Sequence, residues 1–274
     1  MSPSTSAPLT PISVDPAALT PRPSYRVLLT DTPSLQEIRS HLHGIFGDRL
    51  ATQLDEHPGL GCVLDEQVRY ALSTHSASNY PTPHLHAVLG PQRTLADAAS
   101  VLEVGVHSDV RPLLSHRENV RELNYMHAEL AAAVAARPDA LAVCHAFRGA
   151  SRPFALDPLV FIEAVRHDVV SGYVVDVVVT RTATGAQGMS IGMVEAGHPE
   201  LQLHSTASPS EVYNVMTDVC QWALTHQPIA SGDTLEVHGQ HLRAQQASWM
   251  GGHRPALELV VDSPKNGGRG KAAE

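Results

Sequence analysis

The chain has 274 residues, a mass of 29.3 kDa and a net charge of −9, enough to hide about 70–75 % of its unfolded surface in one large domain or two small ones. Apolar residues make up 43 % and charged residues 17 %, which excludes global disorder. The longest apolar run, Tyr173 to Val179, is broken by Asp176 and falls well short of the roughly 18 residues of a membrane span.

Residues 1–24 carry one acid, Asp15, and one base, Arg22. Residues 263–274 carry Lys265, Arg269 and Lys271 against Glu274, so residues 25–262 hold −11. That charge repels phosphate backbones and anionic lipid, so neither nucleic acid nor a membrane surface is an expected partner. Cys62, Cys144 and Cys220 are odd in number and far apart, which argues against a disulfide framework. No basic and apolar leader opens the chain. Together these predict a cytoplasmic protein.

The predicted elements run as follows. Residues 1–24, rich in Pro, Ser and Thr, read as a disordered leader. Tyr25 to Thr30 forms a short strand. Ser34 and Glu37 make a capping box for a helix with Leu35, Ile38, Leu42, Ile45 and Phe46 along its apolar stripe, stopped by Gly47. Strands follow at 60–65 and 67–74, then a polar loop at 75–83 and a strand at 84–89. Thr94 and Asp97 start a helix through Leu102. Ser115 and Glu118 start a longer one, which turns Val120, Leu123, His127, Leu130 and Val134 inward and ends before Pro138.

Leu141 to Phe147 is a strand, and Asp157-Pro158 caps a helix to Val165. Residues 173–180 and 188–195 are strands. Asp176, within the Val run, is expected on an open face. Glu200 to His204 is a strand, and Ser208-Pro209-Ser210-Glu211 opens a helix to His226. A hairpin turning at Gly239-Gln240 pairs His238 with His241, Val237 with Leu242 and Glu236 with Arg243. Leu257, Leu259 and Val261 end the sheet, and residues 263–274 form a disordered tail.

The pattern predicts an α+β fold: a mixed, largely antiparallel sheet with helices mainly on one face, in a single domain over 25–262. Both ends, 25–89 and 200–261, read strand, helix, three strands, as a duplicated unit would.

The segment Gly192-Met193-Val194-Glu195-Ala196-Gly197-His198-Pro199-Glu200, a helix, and then Ser231-Gly232-Asp233-Thr234 resemble the bacterial domain-of-unknown-function family 4261. The His84-Leu85-His86 strand and the alanine-rich helix Ala128–Ala136 also fit that pattern. The resemblance spans most of 25–250 and is most specific over 188–235. Position 231 is Ser where the family pattern has Asp. The resemblance implies a binding or accessory role of immunity type and assigns no activity.

Seventeen histidines invite a metal reading. His84 and His86, two apart on a strand, share a face, and His145 is the candidate third ligand. The alternative is ordinary half-buried histidines. Gly197-His198-Pro199-Glu200 and Asp233-Thr234 form two rigid corners. They read either as a polar binding cluster of His198, Glu200, Asp233 and Thr234, or as backbone-capping turns. Cys144 and His145, being adjacent on a strand, point to opposite faces and cannot pair. No phosphate-cradling glycine loop, nucleophile elbow or HExxH appears, so no cofactor is expected.

These features predict a non-catalytic interaction protein with a protein partner. The competing expectation is a metal-dependent hydrolase built on these histidines and carboxylates. An exposed edge at Leu257–Val261 would allow a homodimer.

Overall fold

The computed structural model describes residues 24–54, 59–64, 68–85, 90–91, 94–106, 117–146, 154–249 and 254–261. The predicted leader and tail, Asp65 to Gln67, His86 and Phe147 therefore lie outside the described residues, apart from Ser24 at the leader's end.

The chain forms an α+β fold. In order, its elements are β1 (Ser24–Leu29), α1 (Leu35–Phe46), β2 (Leu50–Leu54), β3 (Leu60–Leu64), β4 (Val68–Ser76), β5 (His84–Leu85), β6 (Ser100–Val106), α2 (Arg117–Ala135), β7 (Ala140–Ala146), β8 (Phe154–Leu156), α3 (Pro158–Arg166), β9 (Asp176–Thr182), β10 (Gly185–Ile191), β11 (Glu200–Ser205), α4 (Pro209–Thr225), β12 (Thr234–Val237), β13 (Gln240–Ser248) and β14 (Pro255–Val261). The strands divide between two sheets, ordered β2-β3-β4-β6-β1-β7-β8-β5 and β12-β13-β14-β11-β10-β9. Among the described residues, only β5 with β8 and β11 with β14 pair in parallel.

Periodicity explains which face each strand buries. In β1, Tyr25, Val27 and Leu29 enter the main core, while Leu28 joins a smaller cluster with Val101 and Cys144 on the opposite face. The main core is continuous from the first sheet (Val104, Val143), through helices α1 to α4 (Ile38, Leu130, Phe161, Met216), to the second sheet (Leu201, Leu257). One core therefore organises both sheets, with α2 against β1, β6 and β7, and α4 against β9, β10 and β11.

The strand-helix-meander order recurs. β1-α1-β2-β3-β4 and β11-α4-β12-β13-β14 share it, and α1 and α4 open on equivalent capping boxes, Ser34 with Glu37 and Ser208 with Glu211. The pairing differs. β14 lies directly beside β11, whereas β6 is inserted between β4 and β1.

That insertion corrects the helix expected from Thr94 to Leu102. Thr94 Oγ1 does accept the Ala96 N–H at 3.3 Å, but it caps only one 3₁₀ turn, Leu95–Asp97. Ser100 onward is a central strand paired on both sides, because Val101, Leu102 and Val104 fill both faces of the first sheet. The hairpin turns at His238-Gly239, both with positive φ (50° and 73°), as a type I′ turn needs. Val237 therefore faces Gln240 and Leu235 faces Leu242. The slip is two residues, so the expected inward residues stay inward. Leu257–Val261 is no sheet edge: β14 is hydrogen-bonded to β13 and β11, so the exposed edge expected there is absent from this strand.

Packing against α4 is tight at Gly188, where an added Cβ would lie 2.8 Å from Met216 Cγ and 2.9 Å from Val212 Cγ1. Exposed Gly44 in α1 has nothing within 4 Å of that position. Urea denaturation is expected to show Gly188→Ala destabilised by about 1–3 kcal/mol and Gly44→Ala stabilised by about 1 kcal/mol. Equal effects at the two sites would contradict this packing.

Candidate functional site

The segment between β10 and β11 has to reverse direction in eight residues. Gly192 and Gly197 take φ of 115° and 84°, which a side chain would strain. The His198 N–H closes the turn on Met193 O at 2.9 Å. This corner brings two carboxylates, Glu195 and Glu200, into the interior.

Glu200 is fully buried. Its Oε1 accepts the Gly192 N–H at 3.0 Å and Arg254 Nη1 at 2.8 Å. Its Oε2 accepts the Ser190 hydroxyl at 2.6 Å and the Met193 N–H at 3.3 Å. Ser190 Oγ itself accepts the Leu201 N–H at 2.7 Å, which leaves its own proton for Glu200. Arg254 Nη1 also reaches Glu195 Oε2 at 2.9 Å, and the guanidinium lies 5.3 Å from the centroid of the Trp249 ring. Burial pushes the Glu200 carboxyl above its usual range and the charge of Glu195 adds to this; Ser190, the Gly192 amide and Arg254 pull it back.

His198 belongs to a different environment. It lines an open cavity of about 210 Å³ together with Arg121 and Asn124 of α2, Val174, Ala196 and the end of α4 from Ala223 to Pro228. Asp233 and Thr234 are exposed at the start of β12, and Asp233 Oδ2 accepts the Ala230 N–H at 2.8 Å. Two strands, β13 and β14, separate β12 from β11, a lateral distance of about 14 Å. The structure thus does not gather His198, Glu200, Asp233 and Thr234 into one site.

The other candidates are spread in the same way. His84 lies on β5 opposite Phe154, and Ala155 is opposite Cys144, so the His84 backbone is two strands from β7. His145 is buried on β7, stacked on Tyr25 at 4.5 Å and 11°. His127 joins the same aromatic cluster at 4.6 Å from Tyr25. Its Nε2 donates to Val104 O at 2.8 Å, since a carbonyl can only accept. Burial lowers its pKa to about 4 and pushes that of His145 well below the ordinary value. Among the described residues no three His, Cys, Asp or Glu side chains are grouped to hold a metal ion. The three cysteines are buried, and burial pushes the Cys144 and Cys220 thiols upward.

Asp176 corrects the expectation of an open face. It is buried at 7 % exposure, its carboxyl takes part in none of the side-chain ion pairs or hydrogen bonds found among the described residues, and burial raises its pKa to about 8. Arg254 and Arg121 escaped sequence reasoning, because each reaches its site from more than 45 residues away and no spacing rule links them.

No family model matches the chain, and no curated protein or solved structure is significantly similar to it.

Removing Arg254 would leave two buried carboxylates without their cation. Arg254→Met is expected to cost about 3–5 kcal/mol in chemical denaturation; a cost under 1 kcal/mol would show the network to be inert. Asp176 makes the opposite statement. A carboxyl raised from 3.8 to about 8 binds more protons folded than unfolded, so its contribution to stability falls as pH rises through that window. The lowered pKa of His127 acts in reverse and removes stability as pH falls from about 6.5 towards 4. Asp176→Asn is therefore expected to raise Tm more at pH 8.5 than at pH 5. A gain that does not change with pH would contradict the assignment.

Proposed function

We propose that this chain is a non-catalytic interaction protein of the cytoplasm that binds a protein partner, in the immunity-type role implied by its resemblance to family 4261. The carrying observation is the state of Glu200, the carboxylate of the segment most specific to that resemblance. Each of its oxygens accepts two hydrogen bonds from within the chain. A general acid or base has to exchange a proton with substrate, and a carboxylate closed in this way serves the geometry of the corner. The other reactive side-chain types are placed similarly. His127 and His145 are stacked in the aromatic core, and the cysteines are buried with their thiols held protonated where a shift is resolved. Among the described residues, no helix is long and apolar enough to cross a membrane.

The hydrolase alternative makes a separate set of demands on the same residue. With Zn²⁺ or Mn²⁺ added, the purified chain is expected to turn over neither p-nitrophenyl acetate nor bis-p-nitrophenyl phosphate. Glu200→Gln is expected to lower Tm, and native affinity purification from the source cells to recover one stoichiometric protein partner. Metal-dependent turnover that Glu200→Gln abolishes while Tm is unchanged would overturn the proposal, as would the absence of any stoichiometric partner.

A further inference from the structure

The cavity beside His198 has a lining unlike the rest of the chain. Overall, 28 acidic residues outnumber 19 basic ones. The ten residues around the cavity include one arginine, two histidines and no carboxylate. Their side chains are graded by depth, with His198 buried at 6 % exposure and Arg121 and His226 exposed.

The polar groups are held in place by the fold. Arg121 Nη2 donates to Asp168 Oδ2 at 2.7 Å, and Asp168 Oδ1 accepts the Tyr173 hydroxyl at 2.6 Å. One N–H of the guanidinium is thereby anchored, and a guanidinium has five. His226 stacks on Trp222 at 5.4 Å and 9°, and its Nδ1 donates to Trp222 O at 3.1 Å. Asn124 and Thr225 add an amide and a hydroxyl. The remaining wall is apolar, from Val174, Ala196, Ala223, Leu224 and Pro228.

A cationic group on one side of an apolar hollow suits a molecule that is charged at one end only. The volume of about 210 Å³ lies below the roughly 300–1,000 Å³ of pockets for drug-sized ligands, which favours a small guest. We propose that this cavity binds a small organic acid, its carboxylate on the Arg121 guanidinium and its short apolar body against Val174, Ala223 and Leu224. The planar fork of arginine matches a carboxylate in two hydrogen bonds, and the neighbouring apolar wall distinguishes such a guest from a bare inorganic anion. Asp168 competes with the guest for the same guanidinium. The proposal stands apart from the protein-partner reading, since the acid can bind whether or not a partner is found.

Isothermal titration of the full chain with benzoate, benzamide and inorganic phosphate tests this. Benzoate is expected to bind at one saturable site, and benzamide and phosphate at least tenfold more weakly. Arg121→Gln should weaken benzoate at least tenfold, Arg121→Lys should fall between it and the unchanged chain, and Asp168→Asn should tighten binding severalfold. Thermal melts check that each variant is folded, and Arg121→Lys keeps the test decisive if Arg121→Gln is not. Equal binding of benzoate and benzamide, phosphate binding as tightly as benzoate, an unaltered affinity in folded Arg121→Gln or Arg121→Lys, or no benzoate binding at millimolar concentration would each overturn the proposal.

Discussion

A carboxylate removed from water must receive its hydrogen bonds from the chain, and at Glu200 this requirement ties together three parts of the second sheet. The penalty for an unpaired buried charge is several kcal/mol, comparable to the whole stability of many domains. Its donors come from Ser190 at the end of β10, from the amides of the 192–193 turn and from Arg254, which immediately precedes β14. Satisfying one side chain therefore fixes where β10 ends, how the chain turns and how β14 begins. The parallel pairing of Glu200 with Ala256 places Arg254 two residues from the register position it needs, so strand register and charge compensation require the same arrangement.

The rest of the core shows how differently buried titratable groups are accommodated. His127 and His145 are held neutral in an aromatic cluster with Tyr25, Tyr70 and Phe161. In that state an imidazole packs as an aromatic ring. Asp176 has no such arrangement among the described residues, and its proton is held to about pH 8 by burial alone. Glu200 sits between these cases, since burial raises it while a cation and two other donors oppose the rise. Neutral rings, a protonated acid and a compensated ion are three answers to the same low-dielectric interior.

What could be read from the sequence was local. The capping boxes at Ser34 and Ser208 form as expected, because the N-cap and N3 positions are three residues apart and need nothing distant. Inward His127 and Leu130 follow from helical periodicity. The strand Ser100–Val106 was hidden because a capping signal at Thr94 precedes it, and only the two flanking strands decide its state. His238 at φ 50° moved the hairpin turn by one position, since a histidine in that region is uncommon; its Nε2 lies 2.7 Å from Asp218 Oδ2 on α4. Division of the strands into two sheets, and the contact of Arg254 with Glu200 across 54 residues, are properties of topology that no window of sequence contains.

His198 and Glu200 are two residues apart, and both looked like members of one polar site. Their surroundings separate them. Glu200 meets four donors supplied by the chain and faces no cavity among those described. His198 lies on a hollow shared with an arginine and a second histidine. Pro199 between them lacks an N–H and fixes its own φ, so the backbone enters β11 in one way and the two side chains keep separate neighbours. The motif-like spacing of this corner thus reflects the demands of a turn. On the His198 side the chain leaves an open hollow beside the Arg121 guanidinium.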